Sequence, residues 1–299
     1  MEERLRKFAS LIDAGSFTKA ARELHISQPA LSSAIAKLER ELKVKLLVRG
    51  ARPLAVTPAG KVAYQAAKDL AVQTDNLKLR LAELAHEKLS LKIGMIDSIA
   101  DALFENGNGL EMIENAKVSV VVNNTRHLTD AIDRGELDIA FVAEQSKRLP
   151  ASLDTKPVGI EPLVVVRSAR RSLAAGNRLP DFICYDQPSN TFRLVQRALG
   201  EFGMTPEPVF YSTSPEVMLR LVLLDKGIAA LPYLMIREHL VSGELTRLGG
   251  MRPWLIERPV IALKRRDKEL PLPLKQLMHQ TTQVLERLMA EAQFAADAN

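Results

Sequence analysis

A chain of 299 residues is too long for one small binding motif and large for a single core, so more than one domain is expected. Its one cysteine, Cys184, excludes an intrachain disulfide, and no apolar run approaches membrane length. The net charge is +5, and all of it lies in residues 1–60, which hold 11 basic and 6 acidic side chains; the other 30 basic and 30 acidic residues cancel.

The first elements fall in that basic segment. A helix over roughly Glu3 to Ala14 carries Leu5, Phe8, Leu11 and Ile12 at helical spacing. After Ser16, a good N-cap, Phe17, Ala20, Ala21 and Leu24 mark a second short helix. His25, Ile26 and Ser27 leave room only for a turn. Ser27 caps a third helix, Pro29 sits in its first turn, and Leu31, Ile35, Leu38 and Leu42 form its buried stripe. The opposite face carries Pro29, Ser32, Ser33, Ala36 and Arg40, small enough to approach another surface closely. This is a helix-turn-helix. Such helix pairs also occur in proteins that never touch DNA; the localised positive charge favours a phosphate-binding surface.

From Pro58 onward the pattern changes. Ala63, Ala66, Leu70, Thr74, Leu77, Leu81 and Leu84 recur at steps of three or four, with no Pro or Gly between Lys61 and Ser90. The spacing predicts one long helix with a narrow apolar seam, suited to pairing with a second copy; the alternative is a helix lying on its own domain. After Ser90 the chain reads as α/β. Strands are expected at Leu91–Ile96, Val118–Val122, Ile139–Ala143, Leu163–Val166, Ile183–Tyr185, Val209–Tyr211, Ile228–Leu231 and Val260–Leu263. Helices are expected at His127–Arg134, Thr191–Phe202, Pro215–Lys226, Tyr233–Leu240 and Pro273–Ala295. The alternation predicts parallel sheets covered on both faces and about two lobes.

The N-terminal segment resembles the LysR-type transcriptional regulators. The likeness rests on Gly15-Ser16-Phe17-Thr18, Ala20-Ala21, Leu24, Ser27-Gln28-Pro29-Ala30-Leu31-Ser32, Ile35, Leu38-Glu39 and Leu42. It continues through Leu46-Leu47-Val48-Arg49 and Arg52 to Thr57-Pro58-Ala59-Gly60. Leu47 stands where the family usually has Phe, and Val56 where Leu is usual. Turn-rich Asn106-Gly107-Asn108-Gly109 interrupts a helix the family uses in a subunit contact.

The resemblance implies an all-α winged helix-turn-helix over 1–60, a dimerisation helix over 61–89 and an effector domain over 90–299 like the periplasmic solute-binding proteins. Its first lobe would span roughly 90–162 and 266–299, its second 163–265. Gln28 and Pro29 would meet base edges; Thr18, Ser32, Ser33 and Lys37 would hold phosphates; Ser27, which caps the reading helix, would also contact DNA; Arg49, Arg52 and Pro53 would lie at the wing tip near the minor groove. An effector would sit between the lobes at Ser98, Ile99, Thr125, Ser189, Thr191, Arg193 and Ser214, with ordinary helix capping the alternative for the hydroxyl groups.

The function expected is a sequence-specific, double-stranded-DNA-binding transcriptional regulator controlled by a small molecule. The alternative is an α/β solute-binding module or enzyme whose N-terminal helices serve only for assembly. No catalytic set, cofactor motif or metal spacing is legible among the five histidines and one cysteine. The partners expected are a two-fold operator and a homodimer that pairs again into a tetramer, with no membrane. A first helix that starts at once with charge implies no signal peptide and a cytoplasmic protein. The pairs Arg170-Arg171 and Arg265-Arg266 read as solvated.

Overall fold

The computed structural model describes residues 1–48, 54–85, 88–104, 116–144, 149–170, 181–187, 189–201, 207–248 and 255–297. It divides into two compact units, residues 1–87 with 267–269, and residues 88–266 with 270–299.

In the first unit, α1 (Glu2–Ala14), α2 (Phe17–Glu23) and α3 (Gln28–Leu42) precede the long α4 (Pro58–Ala85). α1 ends at Gly15, whose φ of 69° is the left-handed conformation that glycine adopts without strain. The Ser16 side chain accepts from the Lys19 N–H and that of Ser27 from the Ala30 N–H, each at 3.2 Å, so both short helices start where the caps sit. Phe8, Leu11, Leu31, Ile35 and Leu38 share one core with Ala20, Ala21, Leu46, Ala63 and Ala67. Ala63, expected on the pairing seam, therefore faces inward. Ala66, Leu70, Leu77 and Leu81 are exposed along another face of α4; the Leu84 side chain lies outside the described residues.

The base of a hairpin follows α3. Leu47 and Val56 form an antiparallel bridge, and the Val48 N–H donates to the Ala55 carbonyl at 2.9 Å. Glu39 on α3 anchors it by accepting from the Leu46 N–H at 2.8 Å and from Lys45 Nζ at 2.7 Å. Burial opposes ionisation of Glu39, but Lys45 and the two N–H groups of Leu46 and Leu47 outweigh it and hold the carboxyl below its ordinary range. The predicted tip residues Arg49, Arg52 and Pro53 lie outside the described residues.

The second unit runs β1 (Leu89–Met95), α5 (Asp97–Phe104), β2 (Ala116–Val122), α6 (Thr125–Asp133), β3 (Ile139–Ala143) and β4 (Leu153–Ser168). It continues with β5 (Phe182–Tyr185), α7 (Asn190–Glu201), β6 (Pro208–Ser212), α8 (Pro215–Leu223) and β7 (Ala229–Pro232). α9 (Tyr233–Val241), β8 (Leu245–Arg247), β9 (Leu255–Arg265) and α10 (Leu272–Asp297) complete it. The main sheet has the order β2-β1-β3-β9-β4-β7, with β8 also on β4, and β5 pairs with β6. β1, β2 and β3 are mutually parallel, as are β5 and β6, but β4 and β9 run antiparallel to each other. The sheet is therefore mixed rather than wholly parallel.

β4 and β9 are longer than the sequence pattern indicates, because Pro157, Pro162, Glu161 and Arg258 interrupt their apolar runs. They are also the strands that join the two lobes. β9 pairs with β3 at Val260–Leu263, and β4 pairs with β7 at Leu163–Pro232 through Val166–Ala229. Between those stretches β4 and β9 pair with each other, with Glu161 directly opposite Arg258. One core gathers on the β1–β3 side and two on the β5–β7 side. α10 serves both sides: Leu274, Leu277 and Leu285 enter the first core, Val284, Leu288 and Ala292 the second. Arg265 is also not solvated: it is 1% exposed, and its Nη1 donates to the Asp133 carbonyl at 2.9 Å. Asn106 to Gly109 lie outside the described residues.

Candidate functional site

Two surfaces bring sequence-selected residues together. On the first unit, α3 buries Leu31, Ile35 and Leu38 and turns Gln28, Pro29, Ser32, Ser33 and Lys37 outward. Thr18 Oγ1 on α2 donates to Gln28 Oε1 at 3.4 Å, so the two helices jointly orient the glutamine at the N-terminus of α3. Ser27 is exposed and engaged as the α3 cap.

In the second unit a cavity of about 390 Å³ opens between the lobes. That volume lies in the range of small-molecule sites, about 300–1,000 Å³. Its walls come from the C-terminal ends of parallel strands and the helices that follow them, the position that chain reversal leaves open in α/β folds. After β1 stand Asp97 and Ser98 at the start of α5; after β2, Asn123, Asn124 and Thr125 at the start of α6; after β5, Ser189, Asn190 and Thr191 at the start of α7. Arg126, Arg193, Arg258, Tyr185, Asp186 and Thr213 complete the polar lining.

Five of the seven predicted effector residues line this cavity: Ser98, Thr125, Ser189, Thr191 and Arg193. Ile99 does not; it is fully buried in the first-lobe core, because one helical step from Ser98 turns its side chain under α5. Nor does Ser214, whose hydroxyl accepts from the Val217 N–H and caps α8, leaving its neighbour Thr213 on the wall. Ser189 likewise accepts from the Phe192 N–H at 3.1 Å. Arg193 donates to Asn190 Oδ1 at 2.6 Å, and Asn190 reaches across to the Glu144 carbonyl at 2.6 Å.

Sequence reading missed Arg126, Tyr185 and Asp186 on the lining and, with the most side-chain hydrogen bonds of these, Arg258. It is 5% exposed, and Nε donates to Glu161 Oε2 at 2.8 Å, with Nη2 on the same oxygen. Nη2 also donates to Ser98 Oγ at 2.8 Å, and Nη1 to Thr191 Oγ1 at 3.3 Å. One guanidinium thus ties both crossing strands to a helix start in each lobe. Burial alone would lower the Arg258 pKa, but Glu161 beside it more than offsets this and raises it. Beside it the Tyr185 hydroxyl is buried without a hydrogen-bond partner and is pushed up to about 12 by that burial. An unmet buried hydroxyl costs about 1–3 kcal/mol. Burial also raises the Asp97 carboxyl, with Arg258 acting against it. The available signal was a charged residue beside a proline in each of two strand patterns, Glu161-Pro162 and Arg258-Pro259.

Cys184 is buried in β5, and burial pushes its thiol up to about 11, as for an inert apolar residue. Among the described residues no group of three or more His, Cys, Asp or Glu is placed to hold a metal, and no helix is long and apolar enough to cross a membrane.

A helix-turn-helix with a wing, followed by a long helix and a two-lobed α/β unit, defines a class of DNA-binding transcriptional regulators. Comparison with known proteins gives the family. Residues 3–61 match the model of the bacterial regulatory helix-turn-helix proteins of the lysR family, and residues 110–286, more than half of the chain, match the LysR substrate binding domain. The chain belongs to the LysR family of transcriptional regulators. It is 27% identical over 291 residues to the HTH-type transcriptional activator AaeR of Escherichia coli K12, covering 94% of this chain and 92% of that one. Its fold is similar to ArgP from Mycobacterium tuberculosis, with a TM-score of 0.67, 19% identity and coverage of 94% and 96%. It is also similar to a full-length OxyR variant from Pseudomonas aeruginosa, with a TM-score of 0.65, 22% identity and 96% of each chain covered.

Proposed function

We propose that this regulator reads a two-fold DNA site through α3 and is controlled by a small molecule held between the lobes of residues 88–299. The observation that carries the second half is the interlobe cavity, which draws hydroxyls and helix starts from both sides and ties them to the crossing strands through Arg258. A ligand that favours one lobe arrangement shifts the equilibrium only by its differential affinity for the two. Effector contacts are assigned to Ser98, Thr125, Ser189, Thr191 and Arg193, with Arg258 behind them.

On the DNA side, Gln28 and Pro29 meet base edges, Thr18, Ser32, Ser33 and Lys37 hold phosphates, and Arg49, Arg52 and Pro53 of the wing serve the minor groove. The exposed apolar face of α4 at Ala66, Leu70, Leu77 and Leu81 pairs with a second copy. Two half-site readers on one two-fold axis bind a palindrome far better than either alone. Pairing of dimers gives the tetramer.

Gln28→Ala tests the reading helix. Loss of one bidentate base contact removes about 1–3 kcal/mol, or roughly 5- to 150-fold in affinity for the specific duplex. Gel-shift titration should show that loss with binding to random duplex nearly unchanged. Equal loss on both would remove Gln28 from base reading.

A further inference from the structure

By its contacts the turn Asp267–Glu269 groups with the first unit, although the strand before it, β9, and the helix after it, α10, belong to the second. We propose that Asn76 of α4 grips this turn as a strap, through which DNA binding at α3 is felt in β9 and α10. The proposal rests on α3 as the DNA-reading helix.

The grip is on backbone. Asn76 Nδ2 donates to the Asp267 carbonyl at 2.9 Å, and Asn76 Oδ1 accepts from the Glu269 N–H at 3.4 Å. One amide thus meets a carbonyl and an N–H two residues apart, which fixes both the position and the facing of the turn whatever side chains it carries. Asn76 is 7% exposed, and a buried amide needs both a donor and an acceptor. The helix itself has no use for it: asparagine lowers helix propensity, and its side chain competes with helical backbone bonds. Between the two gripped residues Lys268 is also buried, with Nζ 3.9 Å from Asp75 Oδ2. Val72, one turn before Asn76 on the same face of α4, is buried as well. This covered face is separate from the exposed one at Leu70, Leu77 and Leu81.

The turn is anchored on both sides. Before it, Arg265 Nη1 holds the Asp133 carbonyl at 2.9 Å, and the Arg266 N–H donates to the Ser152 carbonyl at 2.8 Å. After it, Pro271 is buried, its carbonyl accepts from the Leu274 N–H at 3.1 Å, and Leu274 enters the first-lobe core. A short segment fixed at its ends and gripped in its middle passes a displacement on, because it has no loop to take it up. Bound DNA stabilises the first unit by mass action, and coupling between two sites is reciprocal. The strap is therefore readable from the DNA side, with no effector in hand.

The test is amide hydrogen exchange of the full chain, alone and with a saturating duplex taken from selection on a random pool. In wild type the duplex should slow exchange in α1–α3 and also, by about fivefold or more, in β9 and α10. Asn76→Leu substitutes a good helix former of similar size and removes both hydrogen bonds. It should keep the duplex affinity and the slowing in α1–α3 but lose the slowing in β9 and α10. A second variant leaves α4 untouched: two glycines inserted between Glu269 and Leu270 lengthen the strap and should have the same effect. Unslowed β9 and α10 in wild type overturn the coupling. Slowing that persists there in either variant overturns the strap as its route. No slowing in α1–α3 of wild type overturns α3 as the DNA reader, and with it the input to the strap.

Discussion

Glu161→Gln is expected to destabilise the 88–299 unit by about 3–5 kcal/mol, the range for a buried pair that loses one partner. Arg258 is buried and cannot shed its proton at any working pH, so the glutamine would leave the cation without its paired carboxylate. The amide keeps the size of the carboxyl, so packing changes little and the loss is electrostatic. At about 2–4 °C per kcal/mol for a domain of this size, the melting temperature should fall by roughly 6–20 °C. Replacing both partners, as Glu161→Leu with Arg258→Met, should restore most of that loss, because an apolar pair carries no desolvation penalty. Thermal melts of wild type and both variants check this. A single variant as stable as wild type would show that Glu161 is not what compensates the charge of Arg258 in the interior.

Gly60→Ala should be nearly as damaging to the DNA-binding unit. A Cβ at residue 60 would lie 2.1 Å from the Leu46 carbonyl oxygen and 2.5 Å from Val56 Cγ1. The first of these is backbone, so no rotamer change relieves it. That oxygen also accepts from the Thr57 N–H at 3.0 Å and helps close the hairpin. The first turn of α4 and the base of the wing must part. Overpacking of this kind costs about 1–3 kcal/mol or more. Affinity for a specific duplex should fall more than tenfold, while any ligand-induced thermal shift from the cavity keeps its size. Wild-type DNA affinity in this variant would contradict the close contact of α4 with the wing.

The reading unit was legible because its signals are local. Ser16 and Ser27 cap, Pro29 sits in a first turn, and the apolar stripe of α3 repeats at helical spacing, all within a few residues. The anchor of the wing was not, because Glu39 meets Lys45, Leu46 and Leu47 only after the chain has turned back from α3. Ala63 carried the right spacing for the seam of α4, but a helix has two apolar faces here and periodicity does not say which one meets its own core. In the second unit short apolar strands were visible and the crossing strands were seen in part. Glu161 and Arg258 break their patterns, and each makes sense only opposite the other, 97 residues away in sequence. The hydroxyls at the strand ends were found by the rule that helix starts face the crevice, which serves for Ser98, Thr125 and Thr191. The same rule does not tell a lining hydroxyl from one that only caps: Ser189 does both, while Ser214 caps α8 off the cavity wall.

The most direct measurement is selection of bound sequences from a random duplex pool by the full-length protein, with Gln28→Ala run in parallel. The selected pool should be enriched in one motif repeated about a two-fold axis, lost or relaxed at the α3-facing positions in the variant. Recovery of no common motif, or of a single unrepeated site, would contradict a paired, sequence-reading regulator.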